Sequence, residues 1–133
     1  MPHPVRYAED DPYLAKLRDI CLAFPQSAEK ASHGHPNFYT RKVFAVFGGV
    51  VKGDHDSDRY AQSVLVLPDA GEREALLADT DRYFHPAYYG PSGWVGYDFR
   101  AGDVDWDEVA ELVDTSYRNT ALITLVRELD TRG

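Results

Sequence analysis

The run Lys42-Val43-Phe44-Ala45-Val46-Phe47-Gly48-Gly49-Val50-Val51-Lys52 decides the fold. Successive side chains of a strand point to opposite faces of the sheet. Here Val43, Ala45, Phe47 and Val51 oppose Phe44, Val46 and Val50, so neither face is polar. One layer of helices covers one face only, and something else must shield the other. The possible covers are an aromatic segment later in the chain, a second copy of the chain, or a partner. Cover from within the chain, by Tyr83, Phe84, Tyr88 and Tyr89, is the simplest. The pair Gly48-Gly49 inside the run predicts a bulge.

On the C-terminal side, the polar stretch Gly53-Asp54-His55-Asp56-Ser57-Asp58 is too short for a crossover helix. It predicts a hairpin loop leading into a second strand over Ser63 to Leu67. On the N-terminal side, Asn37-Phe38-Tyr39 reads as a further strand, and the three runs form an antiparallel meander. Before it, Leu14, Leu17, Ile20, Cys21 and Phe24 line one stripe of a helix over Pro12 to Phe24, with Asp11 as its N-cap. Pro12 suits the first helical position and Pro25 cannot continue the helix. Residues 1–10 are expected to be a loose leader, and residues 11–130 a single domain.

After Pro68, residues 71–78 predict a short helix carrying Leu76 and Leu77. Residues 83–99 then hold seven aromatics in 17 positions. Within them Val95, Tyr97 and Phe99 share one face of a strand, with Trp94 on the other. A last helical region starts at Asp105 and Asp107, acids that suit the positive end of the helix dipole. It continues through Val109, Leu112, Val113, Ser116 and Tyr117, and a further amphipathic stretch carries Leu122, Leu125 and Leu129. The order predicts an α+β, two-layer sandwich, an antiparallel sheet with helices on one face.

The length, 133 residues with 44% hydrophobic content, fits one domain with a substantial core. Fourteen basic against 22 acidic residues give a net charge of -8, which argues against bulk electrostatic attraction to DNA or anionic membrane. No run of about 18 apolar residues predicts a membrane span and no signal-peptide pattern is seen, so no membrane partner and a cytoplasmic location are expected. Cys21 is the single cysteine, so neither an internal disulfide nor a thiolate metal cluster is expected.

Charge is unevenly distributed: residues 24–59 sum to +1 and residues 101–133 to -5. A nucleic-acid reading places Arg41, Lys42 and Lys52 at hairpin tips against phosphates, with Tyr39 or Trp94 stacking on bases. The plainer alternative is that these charges solubilise strand edges and deter edge pairing. His33 and His35, with Glu29 near in sequence, could hold a metal, but Gly34 and Pro36 around them are turn chemistry and no metal is expected. Asp54, Asp56 and Asp58 imitate the start of a calcium loop, yet Arg59 stands where the loop needs glycine and Leu65 where it needs glutamate. Cys21 lies on an apolar stripe, and the chain has no nucleophile elbow, no Walker loop and no dinucleotide fingerprint. The acids Asp105, Asp107, Glu108 and Glu111 read as a solvated helix start. No catalytic residue and no cofactor are expected.

Three segments resemble the MmcQ/YjbR family of small bacterial proteins. They are His33-Gly34-His35-Pro36-Asn37-Phe38 running into Lys42-Val43-Phe44-Ala45; Pro86-Ala87-Tyr88 through Gly93-Trp94-Val95; and Asp105-Trp106-Asp107-Glu108 with Ser116-Tyr117-Arg118. They follow the family order over roughly Leu14 to Arg127. Two positions depart from it: Pro91-Ser92 stands where many members have a basic or His-Lys pair, and Arg41 where relatives often have glycine. The resemblance implies an α-β(3)-α-β(2)-α fold like that of secretion chaperones, a structural role for His33 at a hairpin base, and a double-wing mode of DNA binding. A non-enzymatic binding module directed at DNA is therefore the first expectation. The alternatives are a homodimeric protein-interaction or chaperone-like module, in which Trp94 would be a partner-contact residue, and an enzyme of unrecognised chemistry.

Overall fold

Asp11 caps the first helix: its Oδ1 accepts from the amides of Tyr13 at 2.8 Å and Leu14 at 3.4 Å. Its Oδ2 accepts from Gln62 at 2.8 Å, so the buried carboxylate is satisfied on both oxygens. In the computed structural model, which describes residues 5–132, this helix is α1 (Pro12–Cys21). It is followed by β1 (Ala28–Ser32), β2 (His35–Tyr39), β3 (Val43–Phe47), β4 (Ser63–Val66), α2 (Ala70–Ala78), β5 (Tyr83–Phe84), β6 (Val95–Asp98), α3 (Trp106–Thr120) and α4 (Ile123–Thr131). The strands form one antiparallel sheet in the order β1-β2-β3-β4-β6-β5. The α+β expectation is met, while the implied α-β(3)-α-β(2)-α order gains one strand before α2 and a fourth helix after α3.

Four details differ from the sequence reading. Strand β1, Ala-Glu-Lys-Ala-Ser, has no β-branched or aromatic residue to announce it. It exists because the two-residue turn His33-Gly34, both at positive φ (54° and 83°), folds it back onto β2 in the register Ser32↔His35. Helix α1 stops at Cys21, short of Phe24, because the chain turns before Pro25. Strand β3 stops at Phe47, because Gly48 takes φ 89° and a Cβ there would meet the Ala61 carbonyl and His35 Nδ1, both at 2.9 Å. The predicted alternation within β3 also breaks. The β2–β3 register shifts between Phe38 and Tyr39, and Phe44 joins Ala45 and Phe47 on the helix-covered face while Val43 and Val46 pack on the other.

All four helices pack on one face. Leu14, Leu17 and Cys21 from α1 and Val109, Leu112, Val113 and Tyr117 from α3 meet Phe38, Phe44, Phe47, Val64, Val66, Val95, Tyr97 and Phe99 from the sheet and its margin. Helices α2 and α4 add only partly buried Leu76, Leu77, Leu125 and Leu129 to the same core. Val95, Tyr97 and Phe99 share this face as alternation predicts. The opposite face, around Val46 and Leu65, is covered by the chain itself: Phe84 and Trp94 are buried there, with Val51, Tyr60 and Tyr89 packed around them. The covering residues are only partly those expected. Tyr83 belongs to the helix-side core, Tyr88 is 74% exposed, and Tyr60, a residue of the β3–β4 connection, stacks on Phe84 with ring centroids 3.9 Å apart.

Of the expected leader, residues 1–4 lie outside the described residues. Within residues 5–10, the Arg6 amide donates to the Gly34 carbonyl at 3.1 Å and Tyr7 packs partly buried against the core. No described helix is long and apolar enough to cross a membrane.

Candidate functional site

Residues 40–42 connect β2 to β3, and this tight turn presents Arg41 and Lys42 to solvent. Among the described residues neither cation makes an ion pair, in contrast to Arg18, Arg59, Arg118 and Arg132, each of which is ion-paired with a carboxylate. Tyr39, the last residue of β2, is half-buried, and the Lys30 ammonium stands 4.5 Å from its ring centroid. Lys30 reaches it because β1 pairs with β2 through Ala28↔Tyr39 and Lys30↔Asn37, which puts Lys30 diagonally across from Tyr39 on one face. The structure thus groups Lys30 with Tyr39, Arg41 and Lys42.

Lys52 does not share that location. It is exposed on the β3–β4 connection, which leaves the opposite end of β3, in a segment that also carries Asp54, Asp56 and Asp58. Trp94, the expected partner contact, is 9% exposed and packs in the second hydrophobic cluster with its ring 5.3 Å from Tyr89. Trp106 and Tyr117 lie on the other side of the sheet, against Phe99 and Phe44.

His33 lies in the β1–β2 turn itself, not at the base of the hairpin, and His35 opens β2 directly after it, at the end of the sheet opposite the Arg41–Lys42 turn. His35 Nδ1 is 3.2 Å from the Phe47 carbonyl, a contact that ties the start of β2 to the end of β3. Among the described residues, no three His, Cys, Asp or Glu side chains converge as a metal site would require. Cys21 is fully buried, and burial pushes its thiol well above the ordinary range, so it is a packed side chain and a poor nucleophile. Tyr83, pushed up by burial and then by its hydrogen bond to Glu108, remains a neutral donor to that carboxylate.

An antiparallel sheet with four helices on one face and aromatic loops on the other defines a small α+β sandwich domain. The YjbR family model matches residues 22–119, and the chain belongs to that family. Among solved structures, the crystal structure of the Deinococcus radiodurans protein DR2400, with a DUF419 domain, superposes with a TM-score of 0.60 at 19% identity. It covers 88% of this chain and 78% of its own. At that identity the likeness shows the fold. No curated protein matches the sequence.

Seen in the structure, several of the residues that carry the family resemblance are architectural. His33 and Gly34 make the hairpin turn, Asp105 caps α3 by accepting from the amides of Asp107 and Glu108, and Tyr117 donates to the Pro25 carbonyl at 2.7 Å. Arg118 is held by Asp114 and Asp130 at 2.6 and 2.8 Å.

Proposed function

We propose that the chain is a non-enzymatic binding module that contacts DNA phosphates through the β2–β3 hairpin. The observation that supports this reading is the pair of exposed, carboxylate-free cations Arg41 and Lys42 at one turn, with Lys30 and Tyr39 beside them. Cations not already neutralised by protein carboxylates are the ones that displace counterions from a phosphate backbone. Two or three such contacts on a chain of net charge -8 make a weak, sequence-blind site. Tyr39 adds a ring face at the edge of the patch, suited to an unstacked base.

Fluorescence anisotropy with a labelled duplex at low salt tests this. The expected result is binding whose logarithm falls against log salt with a slope of about -2 to -3, and which Arg41→Ala with Lys42→Ala abolishes whatever the sequence. Lys52→Ala should have little effect, because Lys52 sits beyond the other end of β3. Absence of binding at low salt, or indifference to loss of both hairpin cations, overturns the proposal.

A further inference from the structure

The loops that cover the second face of the sheet do not meet completely. Between the β1–β2 turn, the end of β3 and the loop around Ala87–Tyr89 they leave a cleft of about 470 Å³, within the size range of small-molecule sites. Its floor is the buried pair Val46 and Leu65, with Val50 and Ala87 at its sides. The loops are pinned across it by the Ala87 amide, which donates to the Val50 carbonyl at 2.7 Å. Tyr88 and Tyr89 supply aromatic surface, and Arg6, His33, His35 and His55 line the remainder.

Two features give this cleft chemical direction. First, the chain has 22 acidic against 14 basic residues, yet among the described residues no Asp or Glu lines the cleft, while a guanidinium and three imidazoles do. The aspartates that flank His55 in sequence, Asp54 and Asp56, are exposed and lie outside the lining. Second, the rim is held in a specific and conformationally costly arrangement. Tyr88 is 74% exposed and sits at φ 69°, in the left-handed region that residues with side chains seldom adopt. Its hydroxyl is 3.1 Å from His55 Nδ1, and the two rings are 5.2 Å apart. From the other side Arg6 donates to the His55 carbonyl at 3.2 Å. An exposed tyrosine held in an unfavourable backbone state gains little from burial, so the outlier points to a role at the site.

We propose that this cleft binds a small monoanionic ligand with an aromatic body, its ring over Val46 and Leu65 against the tyrosines and its anionic group at the Arg6 and histidine rim. The guanidinium keeps donors beyond the single bond it gives to His55, so it can serve the anion without dismantling the rim. Among the described residues the lining holds one guanidinium and no lysine, which suits one negative charge better than a polyphosphate. The cleft and the Arg41–Lys42 turn lie at opposite ends of the sheet, so this inference stands independently of the hairpin reading.

The test uses 2-naphthoate, its uncharged analogue 2-naphthamide and inorganic phosphate as probes, with the full chain observed by amide NMR and titration calorimetry. Naphthoate is expected to bind saturably and to shift the amides of Gly48, Gly49, Ala87 and Tyr88. Naphthamide should bind about tenfold more weakly or worse, as expected for loss of a charge-assisted hydrogen bond, and phosphate alone should not bind there. Arg6→Gln should weaken naphthoate by a similar factor. Ala87→Phe, which fills the cleft without touching a charge, should abolish binding, and the NMR spectrum of each variant reports whether the fold is kept. Equal affinity for naphthoate and naphthamide would overturn the anionic assignment. Absence of naphthoate binding, or shifts confined to another surface, would overturn the site.

Discussion

The Ser116 hydroxyl on α3 donates to the Phe44 carbonyl of β3 at 2.5 Å and accepts from the Leu67 amide at 2.8 Å. Strands β3 and β4 are in register through Ala45↔Val66, so Phe44 and Leu67 would be the next pair along the ladder. One side-chain hydroxyl is inserted where the two backbone groups would otherwise have met. It fastens the longest helix to the sheet at the place where the β2–β3 register shifts. Ser116→Ala therefore leaves a buried carbonyl and a partly buried amide unsatisfied, and we expect a loss of about 2 kcal/mol in urea-induced unfolding. A change below about 0.5 kcal/mol, the range of ordinary surface substitutions, would mean that the strands close the gap themselves.

Gly96 supports the aromatic layer on the second face. A Cβ at that position would lie 2.2 Å from the nearest Phe84 ring atom, so the ring rests directly on the glycine backbone. Tyr60 stacks on the outer side of Phe84, and the Arg59 guanidinium stands 4.5 Å over Tyr60. Gly96→Ala is expected to displace the whole stack and cost about 1–3 kcal/mol, as overpacking does. The tryptophan and tyrosine fluorescence of the variant should change together with its thermal midpoint.

Trp94→Ala should cost about 3 kcal/mol in denaturant unfolding, the low end for truncating a core aromatic, because Trp94 is packed against Tyr89 beneath the covering loop. Self-association measured by sedimentation should not change. A variant that kept its stability and lost association would instead place Trp94 at an interface.

Alkaline pH should unfold the protein through its buried hydroxyls and thiol. Burial is the largest cause raising Tyr97, Tyr117 and Cys21, and it raises Tyr83 together with the hydrogen bond to Glu108. A group raised in the folded state binds its proton more tightly there than in the unfolded chain. Its contribution to stability is complete below the unfolded value, about 8.5 for cysteine and about 10 for tyrosine, and is lost as pH rises through the folded value. Urea midpoints should therefore fall steadily above about pH 9. Tyrosinate absorbance at 295 nm should show a late component that ionises only as the protein unfolds. A single tyrosine titration near pH 10 with no loss of structure would contradict this.

Several features were legible in the sequence because they depend on neighbours along the chain. Asp11 and Asp105 declare helix starts through the amides two and three residues ahead. The periodicity of Leu14, Leu17 and Cys21 and that of Val109, Leu112, Val113, Ser116 and Tyr117 name the buried stripes, and the alternation of Val95, Tyr97 and Phe99 names the core face of β6. The two apolar faces of residues 43–51 required a second covering layer. The remaining features depend on contacts distant in sequence. Strand β1 has no intrinsic preference for its conformation and is ordered by pairing with β2. Phe44 changes faces because the ladder slips against β2. Lys30 approaches Tyr39 across a strand pair, whereas Lys52, only ten residues beyond Lys42, is carried to the far end of β3 by an extended strand. The cleft is assembled from four separate stretches, Arg6, Ser32–His35, Val46–His55 and Ala87–Tyr89, over the side chain of Leu65. Local propensity and periodicity determine which elements form, but only the tertiary arrangement of loops, set by long-range packing, decides which charges and rings share a surface.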